Sequence, residues 1–196
     1  MRLAALAFGT AIAAASLGSP TAALAADPYV LDRSHTAITF QVSHLGFSTT
    51  HGVFREVNAE INFDPKAVEA TTVMFVVRAE SIDTFWEARD RHLRSGDFFD
   101  VANHPEITFV STEVTPTGAE TATVKGDLTM LGETRPVTFE ATLNKLAPSP
   151  FDPNKTIAGF TITGEIDRTD FGMSYGAPAI SSIIPVRIDL EMSPAS

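Results

Sequence analysis

The chain has 196 residues and no cysteine, and its 14 lysines and arginines against 24 aspartates and glutamates leave a formal charge of −10. That charge repels phosphate backbones and anionic headgroups at long range, which argues against nucleic acid as a partner and against stable membrane insertion. The missing thiols exclude disulfides and thiolate metal centres, so stability has to come from packing and backbone pairing.

Residues 1–26 begin with Arg2, continue as an Ala- and Leu-rich run and close on Ala23, Leu24, Ala25 and Ala26, the pattern of a secretory signal peptide with an A-x-A cleavage site. The run is too short and too rich in small residues for a bilayer span. Cleavage after Ala25 or Ala26 would release residues 27–196 as one domain into the periplasm or the medium. Loss of Arg2 leaves 13 basic residues against 24 acidic and a charge of −11. A chain of that size can bury a sizeable core.

Apolar residues then alternate with period two, the mark of half-buried strands. Ile38, Phe40 and Val42 share one face, with Thr39, Gln41 and Ser43 on the other. Ala59, Ile61 and Phe63 continue the rhythm in a strand expected over 53–63, and Val73, Phe75 and Val77 supply a third set. Further strands are expected over 106–114, 121–129, 134–145, 157–168 and 183–192, with turn chemistry at Asp64-Pro65, Thr117-Gly118, Gly132-Glu133 and 147–155. Short connections pair neighbouring strands antiparallel. Pro185 inside the last run marks an edge or bulge, and incomplete closure there would leave an edge able to pair with a second copy as a homodimer.

The one long connection, from Glu80 to Pro105, concentrates charge and aromatic bulk. Its stretch from Phe85 to Arg94 lacks β-branched residues and suits one short helix within about residues 84–96, N-capped near Asp83 or Thr84. Arg94 reads as part of a solvated helix face. Arg89 and Asp90 read as a structural ion pair tying the helix to the sheet, with Arg168 and Asp170 as further partners.

The segment SIDTFWEARDRHLRSGDFFDV (81–101) resembles the signature of the YceI-like family of polyisoprenoid-binding proteins. So do YVLDRSHTAITFQVSHLGFSTTHGVF (29–54), HPEITFVST (104–112), GDLTMLGETRPV (126–137) and DRTDFG (167–172), in family order across nearly the whole mature chain. The pattern departs near the end, where ISSIIPVRIDLE (180–191) places Ser182 where an acidic residue usually introduces the last strand. Periodicity alone allows either a sandwich or a barrel. The resemblance implies an all-β, lipocalin-like eight-stranded antiparallel β-barrel, a size that just encloses one slender ligand.

The resemblance also implies a soluble exported carrier holding a polyisoprenoid amphiphile, such as a quinone, a quinone precursor or a polyprenyl phosphate, as ligand rather than as a catalytic cofactor. Burying each five-carbon unit would gain on the order of 3 kcal/mol gross, less the entropy of ordering the tail. Placement assigns Ile38, Phe40, Val42, Phe109, Phe139 and Phe160 to the tail cavity. Phe85, Trp86, Phe98 and Phe99 are assigned to its rim, and Arg91 or His92 to the head group. The five histidines, His35, His44, His51, His92 and His104, show neither HxH spacing nor a helical i, i+4 pair, so structural roles are expected and no metal. Three residues separate Asp32 from His35, which suits a turn hydrogen bond. Ser34 and His35 would point apart in an extended strand, and no G-x-S-x-G elbow or phosphate loop occurs, so no catalytic residues are expected. The rival readings are a histidine-metal enzyme of quinone or stress chemistry and a structural barrel without ligand.

Overall fold

A computed structural model describes residues 26–195 of the chain, so all but the last residue of the expected signal peptide lies outside the described residues. The described residues form ten strands and one α-helix: β1 (Asp27–His44), β2 (Ser48–Phe54), β3 (Val57–Phe63), β4 (Thr72–Arg78), β5 (Ile82–Asp83), α1 (Glu87–Leu93), β6 (Glu106–Pro116), β7 (Thr121–Met130), β8 (Glu133–Pro148), β9 (Thr156–Asp167) and β10 (Ile183–Pro194). Eight of the strands close an antiparallel barrel in the order β1, β3, β4, β6, β7, β8, β9, β10 and back to β1. The alternating pattern is what closes it, because a sheet apolar on one face buries that face completely by curling on itself.

The expected strand over 53–63 is interrupted. β2 and β3 both run antiparallel to β1, one beside its C-terminal half (Ile38↔Phe54) and the other beside its start (Tyr29↔Ile61). Between them, the Arg55 N–H donates to the Ser81 carbonyl at 3.2 Å and the Glu56 N–H to Ser81 Oγ at 3.1 Å, which pulls the backbone out of the β1 ladder. β1 breaks register at the same level, between Asp32 and Ala37. The wall beside the C-terminal half of β1 is therefore continued by β2 and, through Val53↔Asp83 and Phe54↔Ile82, by β5.

Closure at the last strand is complete. β10 pairs with β1 from Tyr29↔Pro194 to Phe40↔Val186. Pro185 stands opposite Glu165 of β9, just ahead of that seam, so no β1–β10 pair depends on its missing N–H. The edge that incomplete closure would have offered to a second copy is thus occupied by the chain itself.

The helix starts later than its sequence predicts. Asp83 Oδ1 accepts the Phe85 N–H at 2.7 Å, and Phe85 takes φ 65°, a left-handed conformation that stops a helix from starting at Asp83 or Thr84. Trp86 becomes the N-cap residue, without a side-chain cap. Arg94 is not a solvated face residue. It donates from Nε to the Glu80 carbonyl (2.8 Å) and from Nη2 to the Ile82 carbonyl (2.9 Å), tying the end of the helix to β5. The helix and the 168–182 segment between β9 and β10 together cap one end of the barrel.

Candidate functional site

Inside the barrel lies a cavity of about 390 Å³, within the range of small-molecule sites. Large residues such as Ile38, Phe40, Phe75, Phe109, Leu128 and Phe139 are each under 10 % exposed, yet they form a wall around a space and do not fill it. The hollow runs from Val114 and Ala122 near the β6–β7 turn up to His92 and Tyr175 under the cap. All six residues assigned to a tail cavity, Ile38, Phe40, Val42, Phe109, Phe139 and Phe160, line it.

The assigned rim divides. Phe98, Phe99 and His92 line the cavity, whereas Phe85, Trp86 and Arg91 do not. Phe85 and Trp86 are 74 % and 62 % exposed, because the left-handed turn at Phe85 directs both away from the barrel before the helix begins. Trp86 instead stacks beneath the Arg89 guanidinium at 5.6 Å. Arg91 reaches Glu87 one turn away at 3.7 Å, on the outer helix face. Of Arg91 and His92, the alternatives for a head-group contact, only His92 lines the cavity. Its Nε2 meets Asp97 at 2.8 Å, and its ring packs edge-on against Phe98 (5.0 Å) and Tyr175 (5.2 Å), closing the cap between α1 and the 172–182 loop.

Position in the chain does not distinguish several further lining residues, among them Thr84, Arg89, Arg168, Tyr175 and Ile180. The expected Arg89–Asp90 ion pair is replaced by a relay through Thr84. Asp90 Oδ1 accepts the Thr84 N–H and hydroxyl, and Arg89 donates from Nε to Thr84 Oγ1 (2.7 Å) and from Nη2 to the Thr84 carbonyl (2.5 Å). Arg168, buried at 4 % exposure, pairs with no carboxylate of Asp90 or Asp170. It donates to the carbonyls of Ser181 (2.9 Å), Met173 (2.5 Å), Tyr175 (3.0 Å) and Ile180 (2.9 Å), which fastens the loop over the barrel end. Burial lowers its pKa from the usual arginine value, and the neighbouring Asp167 charge partly offsets this. Among the described residues lining the cavity there is no carboxylate, while Arg89 and Arg168 both contribute to the wall. Arg89 and Arg168 are thus the arginines on the cavity wall, with the buried Asp90 carboxylate one residue behind Arg89 through the Thr84 hydroxyl.

A second polar cluster sits on the outer surface where β1 bulges. His35 Nδ1 lies 3.0 Å from Asp32 Oδ2, the turn hydrogen bond expected from their spacing, and 3.9 Å from Glu191, the cross-strand partner of Asp32. The bulge also brings Ser34 Oγ to 3.2 Å from His35 Nδ1, although an extended strand would hold them apart. This is not a hydrolytic triad. The same imidazole nitrogen faces both serine and aspartate, and the serine hydroxyl donates directly to Asp32 Oδ1 at 2.6 Å, so no base stands between them. The hydrogen bond to Asp32, followed by the charges of Asp32 and Glu191, raises the His35 pKa. Hydrogen bonds from Ser34 and then His35 hold Asp32 well below the usual carboxylate range. Asp32, His35 and Glu191 each present one donor atom within 4.8 Å of the others, the one such grouping among the described residues able to hold a metal ion.

Residues 29–192 match the YceI-like domain family. A UPF0312 protein of Pseudomonas savastanoi pv. phaseolicola is 39 % identical over 193 residues, covering 97 % of this chain and 94 % of its own length. A UPF0312 protein of Pseudomonas putida is 38 % identical over 190 residues, covering 96 % and 94 %. Among solved structures, the YCEI protein of Campylobacter jejuni superposes with a TM-score of 0.72 at 28 % identity over 79 % of this chain and 90 % of that one. BcnA of Burkholderia cenocepacia gives 0.74 at 21 % over 82 % and 98 %. A domain from Saccharophagus degradans described as polyisoprenoid-binding gives 0.67 at 15 % over 86 % and 99 %; at these last two identities the likeness is one of fold.

Proposed function

The chain belongs to the YceI-like domain family, and from that membership together with the hollow barrel we propose that it is an exported binding protein carrying one polyisoprenoid amphiphile, such as a quinone, a quinone precursor or a polyprenyl phosphate. The observation that carries the reading is the polarity of the cavity. Its length is walled by Phe and aliphatic side chains, and its capped end brings Arg89, Arg168 and His92 together. A long apolar tail removed from water along that wall is stabilised in proportion to the area it buries. A carbonyl or phosphate oxygen at the cap would meet the Arg89 and Arg168 guanidinium groups, with no carboxylate among the described residues that line the cavity. The solved polyisoprenoid-binding domain of the same fold supports the choice of tail. Holding and releasing such a ligand needs no bond to break, so the role is carriage rather than turnover. Export follows from the N-terminal 26 residues, with cleavage after Ala25 or Ala26 into the periplasm or the medium.

Native mass spectrometry of the protein purified without detergent from its own periplasm or medium, followed by organic extraction, tests this. The expected result is near-stoichiometric recovery of one polyprenyl compound, together with a shortened N-terminus. A barrel that emerges empty and does not take up an added polyprenyl quinone would overturn the reading. A retained metal ion with no lipid would favour an enzyme instead.

A further inference from the structure

Glycine in the interior of a strand weakens it, so an inward-facing strand glycine calls for a reason in the packing. The cavity wall has three. Gly52 of β2 is the direct partner of Phe40 of β1. Gly164 of β9 lies one step beyond the Glu140↔Thr163 pair, beside Phe139 of β8. Gly126 of β7 adjoins Phe109 of β6. A Cβ built on Gly52 would lie 2.7 Å from both Cε atoms of the Phe40 ring and closer still to its Cζ. One on Gly164 would lie 2.5 Å from Phe139 Cδ1, and one on Gly126 would lie 2.5 Å from Phe109 Cε2. Real Cβ atoms essentially never approach within 3.0 Å, so each ring occupies space that only a glycine leaves free. The rings are laid back over the neighbouring strand and do not project toward the barrel axis. Gly52, Phe40, Val186 and Gly164 face one another in turn across β2, β1, β10 and β9, so two of these pairs belong to one layer of the wall.

An eight-stranded barrel is just wide enough for side chains to fill, and three phenylalanines pointing at its axis would close it. We propose that the Phe40–Gly52, Phe139–Gly164 and Phe109–Gly126 pairs set the bore of the tunnel, and that this bore is what admits a methyl-branched chain, whose cross-section exceeds that of a straight alkyl chain. The proposal rests on the reading of the cavity as a lipid site and adds to it the feature that selects the tail.

Gly52 is the position to test. The nearest atoms to its built Cβ all belong to the Phe40 ring, which can swing into the lumen. Gly126 and Gly164 also meet the backbone oxygens of Val110 (2.5 Å) and Thr138 (3.1 Å), where a methyl would push on the strand itself. The delipidated mature protein, its Gly52→Ala variant and the Gly52→Ala/Phe40→Ala double variant are titrated with two benzoquinones of identical head. One carries a tetraprenyl tail and the other an n-alkyl tail of equal backbone length. The variant's crystal structure is determined in parallel. The expected outcome is a loss of at least about tenfold in affinity for the prenyl quinone with the n-alkyl quinone within about threefold, prenyl affinity restored in the double variant, and the Phe40 ring displaced into the lumen. Equal losses for both quinones, no loss for either, or a ring still on the wall with β2 displaced would each overturn the proposal. If the unaltered protein bound neither quinone, the carrier reading would be what fails. The position of the Phe40 ring in the variant would then decide by itself whether the pair sets the bore.

Discussion

Thr84 and Asp90 hold each other inside the cap: Asp90 Oδ1 accepts the Thr84 N–H at 2.9 Å and its hydroxyl at 2.5 Å, with Thr84 1 % and Asp90 4 % exposed. Because the same hydroxyl accepts from Arg89 Nε, one small side chain satisfies a buried anion and orients a cation on the cavity wall. Thr84→Val keeps the shape and removes the hydroxyl, leaving Asp90 and Arg89 each short of a partner. We expect a loss of about 2 kcal/mol, the scale of a buried hydrogen bond to a charged group. Thr84→Ser should lose less than about half of that. Urea midpoints at constant slope make the comparison, and a valine variant as stable as the serine one would show that the relay carries no stability.

Arg168 donates to four carbonyls with a planar fork that an ammonium cannot reproduce. Arg168→Lys should cost about 3 kcal/mol, since buried carbonyls are left unpaired. It should also speed amide exchange across residues 173–181 while leaving β6 and β7 protected. Uniform exchange throughout the barrel would mean that the arginine supports the whole fold and does not act chiefly on the loop.

The His35–Asp32 pair makes a signed pH prediction. The His35 pKa is raised in the folded chain, so its share of the pairing is fully present below its unfolded value of about 6.5 and fades as pH climbs through the raised value. The Asp32 pKa is lowered, so its share is present above about 3.9 and fades as pH falls through the lowered value. An NMR titration should place the His35 midpoint above about 6.5 in the native chain, with Asp32→Asn bringing it down and Glu191→Gln lowering it less. A midpoint unmoved by Asp32→Asn would dissolve the pair. Both groups are exposed, so the midpoint is the quantity to follow.

Far from the cap, Ala122 of β7 faces Ala141 of β8, and both line the cavity. Leucine at Ala122 would block the space that the end of a long tail needs. Affinity for an octaprenyl quinone should fall at least about tenfold while a diprenyl quinone stays within about threefold, by isothermal titration. Equal losses for both would place the ligand elsewhere in the barrel.

Strands were the most legible part of this chain because period-two alternation is local. Residues 106–114 and 183–192 announce β6 and β10 to within a few residues, and the cavity-lining positions Ile38, Phe40, Val42, Phe109, Phe139 and Phe160 follow from the same rhythm. Connections have no such period. Whether Phe85 and Trp86 face in or out depends on Asp83 holding the Phe85 N–H, and Asp83 is itself held by Arg55 from the link between β2 and β3. Arg94 turns inward because the Glu80 and Ile82 carbonyls lie within its reach, and Ser34 meets His35 because β1 bulges where β3 gives way to β2.

What the sequence determined alone is which residues shun water, in which alternation, and that no thiol assists them. Tertiary structure decided that β10 closes on β1, that the rings of Phe40, Phe109 and Phe139 lie back over glycines, and that Arg89 and Arg168 reach the cavity wall. Apolarity belongs to each side chain separately. An open bore is the difference between a barrel's circumference and the volume its side chains claim, and that difference exists only once every strand has its neighbour and its register.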